Sequence, residues 1–300
     1  MQFEVAEDLT AVAPAPDGLE ALRGAYQPGQ IRFRPEDSPF GTLFADITHR
    51  CNMACRNCYI PVRDLPDLPA DWLYGVLERL PRRVRVRLVG AEPTMREDLP
   101  EMIARIRALG HLPVILSNGL KLGRPSYVRR LREAGLRSVY LSMNGGLRDD
   151  LYLAIDQLAC ARRKLAALDN CLAARMNTTL GMILVRGVNE GHLGEFLAFV
   201  HERGVRDVHL RAVGAIGNHL EGASFSLDEL EELLRSALGS RAAELECLAA
   251  EGSSRDFRCG RLEFQITKWP DLGSRERGRI TPDGYVEPFF ESLVANAFSY

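Results

Sequence analysis

Leu43-Phe44-Ala45-Asp46-Ile47-Thr48-His49-Arg50-Cys51-Asn52-Met53-Ala54-Cys55-Arg56-Asn57-Cys58-Tyr59 reads as a short apolar strand, Leu43–Thr48, running directly into a loop that carries three cysteines. Their spacing is C-x3-C-x2-C. A loop this tight folds three thiolates around one cubic iron–sulfur cluster. It supplies three ligands, whereas a [4Fe–4S] cluster has four irons and is commonly held by four cysteines. One iron is then left open to an exogenous chelator, much as a catalytic zinc keeps an open position. The competing reading is a structural, non-catalytic zinc site with His49 or a remote cysteine as fourth ligand. Zinc sites usually come as paired C-x2-C units, and here only Cys55 and Cys58 form one.

Outward from this loop the chain alternates short apolar runs with amphipathic stretches. Strands are expected at Leu43–Thr48, Val84–Val89, Pro113–Ser117, Ser138–Ser142, Thr178–Val185 and Asp207–Val213. Helices are expected near 70–80, 97–109, 125–134, 149–175, 190–203 and 226–238, the last with Ser226 as N-cap and Glu229 three residues on. This alternation implies an α/β fold with a parallel sheet and crossover helices. Six units are two fewer than a complete (β/α)8 barrel. A partial (β/α)6 TIM-like barrel follows, although an open doubly wound sheet has the same local pattern. In a barrel, the cysteine loop after the first strand lies at the C-terminal mouth, where active sites form.

The organisation is read as an irregular, Pro- and Gly-containing extension over 1–40, the barrel over 41–240 and a small β-rich cap over 241–300. Within the last, Arg258–Thr267 and Gly278–Phe290 are strand-like, and Pro282-Asp283-Gly284 signals a turn. With 38 basic and 40 acidic side chains the formal charge is -2, so no strongly basic face for nucleic acid is expected. No apolar run is long enough to span a bilayer, and the acidic, Pro-rich start is unlike a targeting segment. Seven cysteines, three of them clustered, fit a reducing cytoplasm and a metal site better than a disulfide framework.

The triplet Cys51, Cys55 and Cys58 resembles the hallmark of the radical S-adenosylmethionine (SAM) superfamily, C-x3-C-x2-aromatic-C and close variants. Here Asn57 precedes the last cysteine and the aromatic Tyr59 follows it. The start Thr48…Cys51-Asn52 is similar to the subgroup holding the molybdenum-cofactor GTP cyclase and the SPASM/twitch enzymes. The resemblance covers roughly residues 41–215. It implies one [4Fe–4S] cluster on the three cysteines and SAM as the chelator of the open iron.

Further residues enter through the same resemblance. Gly90-Ala91-Glu92-Pro93-Thr94 resembles the G-G-E-P motif that holds the amino group of SAM, with Glu92 suited to accept from an ammonium. Read without the family, it is a turn ahead of a helix. Ser117-Asn118-Gly119 and Ser142-Met143-Asn144-Gly145-Gly146 stand where the family carries T-N-G and S-x-D-G. The second implies ribose contacts by Ser142 and Asn144, while Asn118 is equally a turn residue. Gly181–Glu190 resembles the segment sheltering the adenine, with Ile183 packing there or in the barrel core. Arg211 stands near where a basic residue meets the methionine carboxylate in the subgroup.

The tail Ile280-Thr281-Pro282-Asp283-Gly284-Tyr285-Val286-Glu287-Pro288-Phe289 is similar to a cluster-binding hairpin, with Phe289 in place of a ligating cysteine. A degenerate twitch-like cap without an auxiliary cluster is implied, lined by Trp269, Tyr285, Glu287, Phe289 and Phe290. Cys160 and Cys171 read as buried packing residues, and Cys247 and Cys259 are too few to hold a cubane. The implied activity is reductive cleavage of SAM to a 5′-deoxyadenosyl radical that takes hydrogen from a small molecule. A sugar or nucleoside in natural-product biosynthesis is one expectation, with decarboxylation or rearrangement as outcomes. A flavodoxin or ferredoxin is the expected electron donor, and neither nucleic acid nor membrane is an expected partner. A peptide-modifying radical SAM enzyme is the alternative.

Overall fold

The computed structural model describes residues 18–26, 28–60, 62–214, 220, 222–268 and 276–289. Helix α1 (Leu19–Ala25) precedes strand β1 (Thr42–Thr48), which is followed by α2 (Ala70–Glu78) and β2 (Arg85–Gly90). Then come α3 (Leu99–Ala108), β3 (Leu112–Ser117), α4 (Pro125–Glu133) and β4 (Ser138–Ser142). Helices α5 (Asp149–Asp156) and α6 (Ala161–Ala173) lead to β5 (Asn177–Leu184), α7 (Leu193–Glu202), β6 (Asp207–Ala212) and α8 (Leu227–Leu238). The chain continues through β7 (Glu246–Glu251), β8 (Ser254–Cys259), β9 (Leu262–Thr267), β10 (Arg277–Ile280) and β11 (Val286–Pro288).

The six expected strands pair in sequence order, all parallel. Strands covered on both faces read as near-continuous apolar runs, and six of the seven β1 residues are buried. The helices bury apolar stripes against the sheet, such as Leu99, Met102, Ile103 and Ile106 of α3. Helix α8 starts with the expected capping box of Ser226 and Glu229.

Two features differ from the sequence reading. The stretch 149–175 is two helices, because Gln157 takes a left-handed conformation (φ 57°) that ends α5. This break turns α6 so that Lys164 faces Asp156 across it. The second difference concerns the β-rich C-terminal part. Its strands do not stack as a separate layer: β9 pairs parallel with β6 and β10 pairs parallel with β1. The sheet therefore runs β11-β10-β1-β2-β3-β4-β5-β6-β9-β8-β7. Across its two flanks Arg277 Nη2 of β10 reaches Gln265 Oε1 of β9 at 3.5 Å. The partial barrel thus gains a parallel strand on each flank, with antiparallel β11 and the β7–β8 pair outside them.

The N-terminal extension clasps this arrangement. Phe33 bridges Val286 of β11 through two backbone hydrogen bonds of 2.9 Å. Arg32 Nε donates to Glu287 Oε1 at 2.9 Å and its guanidinium covers the Tyr285 ring. Beneath, a buried ion pair joins Asp46 of β1 to Arg279 of β10, and Tyr26 OH donates to the same carboxylate at 3.1 Å. No described helix is long and apolar enough to cross a membrane.

Candidate active site

A cavity of about 190 Å³ opens among the C-terminal ends of the strands. Its wall brings together Cys51, Cys55, Cys58, Gly90, Ala91, Ser117, Ser142, Asn144, Ile183 and Arg211. These are the expected residues with one exception, Glu92.

Glu92 is buried and faces away from the space. Its Oε1 accepts from Thr94 N (3.1 Å), Thr94 Oγ1 (2.6 Å) and Ser117 Oγ (2.8 Å), and Oε2 accepts from Asn118 N (2.7 Å). The expectation that its carboxylate receives a ligand ammonium is therefore corrected. That carboxylate fastens the end of β3 to the end of β2. The motif's cavity surface comes instead from Gly90 and Ala91. Gly90 has φ 107°, and a Cβ there would lie 2.2 Å from the Thr48 carbonyl oxygen, so only glycine fits. Ala91 has no such positive φ, and its N–H donates to Thr48 O at 2.8 Å. Alanine in place of the second glycine leaves this backbone path intact.

The cysteine loop is pinned from several sides. Arg56 N donates to Ile155 O (3.0 Å) and Gln157 Nε2 to Ala54 O (2.6 Å), so the end of α5 holds the loop. Met53, Leu120 and Tyr152 form an apolar shelter against which Cys51 and Cys55 pack. Burial raises both thiols above their ordinary range, and Asp156 beside Cys55 adds to its shift. Arg63 Nη2 lies 2.9 Å from Cys58 Sγ. Three half-buried sulfurs facing one sheltered space, with a guanidinium beside one of them, suit a cluster whose thiolates need charge compensation. Among the described residues, no three His, Cys, Asp or Glu side chains gather where a single metal ion would be held. A cube of four irons is wider than one ion and needs its ligands spread.

Adjoining the cysteine loop is a polar network. Asn144 Oδ1 accepts from Ile183 N (3.0 Å), and its Nδ2 donates to Asp156 Oδ1 (2.9 Å). Asn189 Nδ2 donates to the carbonyls of Asn144 and Ile183, each at 2.8 Å. Lys164 Nζ donates to Ser142 O at 2.9 Å and pairs with Asp156 Oδ2 at 3.5 Å. Asn118 Nδ2 bonds Asn52 Oδ1 at 2.8 Å and stands 3.9 Å from Cys51 Sγ. Ser117 Oγ also accepts from Gly119 N at 3.0 Å.

Asp156, Lys164, Arg63, Arg87, Tyr140, His209 and Arg277 share the cavity but escaped the sequence reading. Arg87 had a signal, since it alternates with Val86 and Leu88 and so shares a strand face with Val89. Lys164, one cation among several in a helix, had none. Of the expected cap lining, Phe289 borders the cavity, stacked on Phe44 at 3.8 Å. Glu287 is buried against Gly29 N and Arg32, outside the cavity wall. Trp269 and Phe290 lie outside the described residues. Cys247 is exposed on β7, and Cys160, Cys171 and Cys259 are buried singly, as packing residues are.

Residues 46–200 match the sequence profile of the Radical SAM superfamily. The chain is 30% identical over 184 residues to a 7,8-dihydro-6-hydroxymethylpterin dimethyltransferase of Methanocaldococcus jannaschii, covering 57% of this chain and 36% of that protein. It is 29% identical over 227 residues to a GTP 3',8-cyclase of Geobacter sulfurreducens, covering 72% of this chain and 68% of the relative. Among solved structures, Streptococcus suis SuiB bound to its precursor peptide SuiA superposes with a TM-score of 0.65 at 15% identity. That match covers 88% of this chain and 62% of SuiB, and shows a shared fold. The superfamily uses a [4Fe–4S] cluster and SAM, and this chain carries the cysteine triplet on a sheltered loop at the barrel mouth. On the profile match across more than half its length, the chain belongs to the radical SAM superfamily.

Proposed function

We propose that the chain is a radical SAM enzyme acting on a small molecule, with Cys51, Cys55 and Cys58 holding the cluster. The observation that carries this is the meeting of the three thiols with Gly90, Ala91, Ser142, Asn144 and Ile183 around one cavity. When bound, the cluster and SAM supply an electron transfer that splits a carbon–sulfur bond, yielding methionine and a 5′-deoxyadenosyl radical. The protein binds, orients and excludes side reactions.

Gly90 and Ala91 present backbone at the place suited to the amino group of SAM. Ser142, at the end of β4 on the same cavity, is proposed for the ribose hydroxyls, with Asn144 holding that strand end through Ile183 and Asp156, and Ile183 offers an apolar flank to the adenine. Arg211, at the cavity wall, is the cation proposed for the methionine carboxylate. Phe44, Phe289 and Tyr140 wall the space against water, which a primary radical requires.

The relatives' names favour a heterocyclic substrate. One is named for GTP and the other for a pterin, and the match to the GTP cyclase covers 72% of this chain. We therefore place a nucleoside or related heterocycle ahead of a simple sugar, in cofactor or natural-product biosynthesis. A flavodoxin or ferredoxin is the proposed electron source, in the cytoplasm, and the C-terminal part is proposed to help enclose the substrate through Phe289, which borders the cavity. The test is SAM cleavage by anaerobically reconstituted protein with dithionite, alongside Cys55→Ala. Formation of 5′-deoxyadenosine by the wild type and its loss in the variant is the expected outcome. Stoichiometric zinc with no iron–sulfur absorbance would overturn the proposal.

A further inference from the structure

A carbon radical left in the cavity ends by taking a hydrogen, giving up an electron or losing a fragment, and the wall decides which hydrogens it meets. Alcohol, amide, guanidinium and imidazole hydrogens are bound more tightly than the hydrogen of an alkyl C–H. Thiol and phenol hydrogens are bound less tightly. The cavity thiols are Cys51, Cys55 and Cys58, which the cluster takes, and the phenols among the described wall residues are Tyr59 and Tyr140. We propose that Tyr140 is the hydrogen donor that quenches the substrate radical, with His209 positioning its hydroxyl.

Tyr140 is almost wholly buried on β4, and its ring is held from three sides. The Arg211 guanidinium stands 5.5 Å from the ring centroid. Gly181 of β5 leaves the room that the hydroxyl occupies, since a Cβ there would lie 1.9 Å from that oxygen. His209 Nδ1 of β6 lies 3.4 Å from the hydroxyl, and His209 Nε2 lies 2.9 Å from Thr267 Oγ1 of β9. Burial and the neighbouring Arg211, Arg277 and Arg87 keep His209 neutral, so its ring carries one N–H hydrogen. The Thr267 hydroxyl has no other hydrogen-bond partner among the described residues, so it donates to Nε2 and leaves that hydrogen on Nδ1. Nδ1–H then donates to the Tyr140 oxygen. The phenol hydrogen, with no acceptor among the described residues, is left to the cavity that Tyr140 lines. Tyr140 also stands two residues before Ser142 on one strand face, about 7 Å along β4. Ser142 is the residue proposed for the ribose, so a donor here borders the place where substrate must lie. The inference rests on the small-molecule radical reading above. In the step, the Tyr140 O–H bond breaks homolytically, a C–H bond forms on the substrate, and a neutral phenoxyl radical remains with Nδ1–H still donating to it. One electron from the flavodoxin- or ferredoxin-type donor and one proton from solvent restore the phenol, and the substrate radical is not oxidised.

The test uses reconstituted protein with SAM in heavy water, reduced by titanium(III) citrate, so that the 5′-deoxyadenosyl radical is itself the carbon-radical probe. Deuterium per molecule of 5′-deoxyadenosine should fall at least fivefold in Tyr140→Phe and stay within twofold of wild type in Tyr59→Phe. Freeze-quenched samples should show a phenoxyl paramagnetic signal that narrows with ring-deuterated tyrosine, survives Tyr59→Phe and is lost in Tyr140→Phe. In His209→Leu the largest g value of that signal should rise, because the phenoxyl oxygen loses its hydrogen-bond donor; a merely structural histidine would leave it unmoved. In protein without the cluster, nitrogen-15 spectra should show His209 as the Nδ1–H tautomer. Deuterium unaffected by Tyr140→Phe, deuterium lost in Tyr59→Phe, or the Nε2–H tautomer overturns the proposal. Should Tyr140→Phe not fold, Tyr59→Phe decides: a phenoxyl signal and deuterium that survive it support Tyr140, the other phenol of the described wall, and their loss overturns it. Absence of 5′-deoxyadenosine overturns the reading of the reaction and this step with it, whereas 5′-deoxyadenosine without Tyr140-dependent deuterium overturns this step alone.

Discussion

Lys164 Nζ lies 3.5 Å from Asp156 Oδ2 and 2.9 Å from the Ser142 carbonyl, with both side chains almost wholly buried. The pair bridges the break between α5 and α6 and fixes the end of β4, where Ser142 and Asn144 face the cavity. A buried pair broken from one side leaves an uncompensated charge, which costs about 3–5 kcal/mol. Lys164→Met should destabilise the protein by that order in urea denaturation. The double variant Lys164→Met/Asp156→Leu should recover much of the loss in stability, because no lone charge remains. A double variant no more stable than the single one would show that the pair's value lies in its hydrogen bonds.

Glu92 ties two strand ends together through four accepted hydrogen bonds. Glu92→Ala strands those donors in a buried place, and bonds to a charged group contribute about 1.5–3 kcal/mol each, without being additive. A large fall in thermal midpoint is expected, with Glu92→Gln retaining more of it. Equal stability of wild type and Glu92→Ala would refute the fastening role.

Gly181 sits opposite Ser142 in the ladder, and a Cβ there would lie 1.9 Å from the Tyr140 hydroxyl. Gly181→Ala must push Tyr140, and with it the His209 contact, into the cavity. Overpacking of this kind costs about 1–3 kcal/mol. SAM binding should weaken together with stability, measured by calorimetry and melting. Recovery of stability by Gly181→Ala/Tyr140→Leu, which removes the hydroxyl together with the ring carbons that the Cβ would also meet at 2.2 and 2.3 Å, would confirm the cause.

His209 is held neutral by burial first and by Arg211, Arg277 and Arg87 next, so its folded pKa lies well below 6.5. In that window the unfolded chain binds the extra proton, so stability rises with pH up to about 6.5 and is lost on acidification. His209→Gln should flatten this part of the stability profile, measured by denaturant titration from pH 5 to 7.5. An unchanged slope would assign the dependence to other groups, such as His49, which is shifted in the same direction by burial.

The parts of the fold legible in the sequence were those written locally. The six short apolar strands, the Ser226–Glu229 cap and the tight cysteine spacing each declare themselves within a dozen residues. Strands β9 and β10 joined opposite flanks of the sheet through pairings with β6 and β1 that lie far off in sequence, and no local period encodes a partner at that range. The site divides the same way. Gly90 is readable through the resemblance of its motif, and the structure supplies the reason, a strand end that meets the Thr48 carbonyl too closely for any Cβ. Asp156 and Lys164 are not, because their meaning arises only when Gln157 breaks a helix that the periodicity would continue.

Asn144 occupies a position where the superfamily resemblance suggests aspartate, and the structure gives a reason. Its Nδ2 donates to Asp156 Oδ1 at 2.9 Å while its Oδ1 accepts from Ile183 N. An aspartate could keep the second bond but would set a carboxylate against a carboxylate in the first. Two such groups cannot both ionise cheaply, so one pKa rises. With the folded pKa raised above the unfolded value near 3.9, the native state binds more protons across that interval, and stability falls as pH rises. Asn144→Asp should therefore approach wild type in stability near pH 4 and fall progressively below it toward pH 7.5, in denaturant titrations. Asn144→Asp/Asp156→Asn exchanges the two groups and should remove most of the pH-dependent loss. A single variant as stable as wild type at pH 7.5 would mean that Lys164 swings to serve both carboxylates, and that Asp156, not Asn144, is free to change partners.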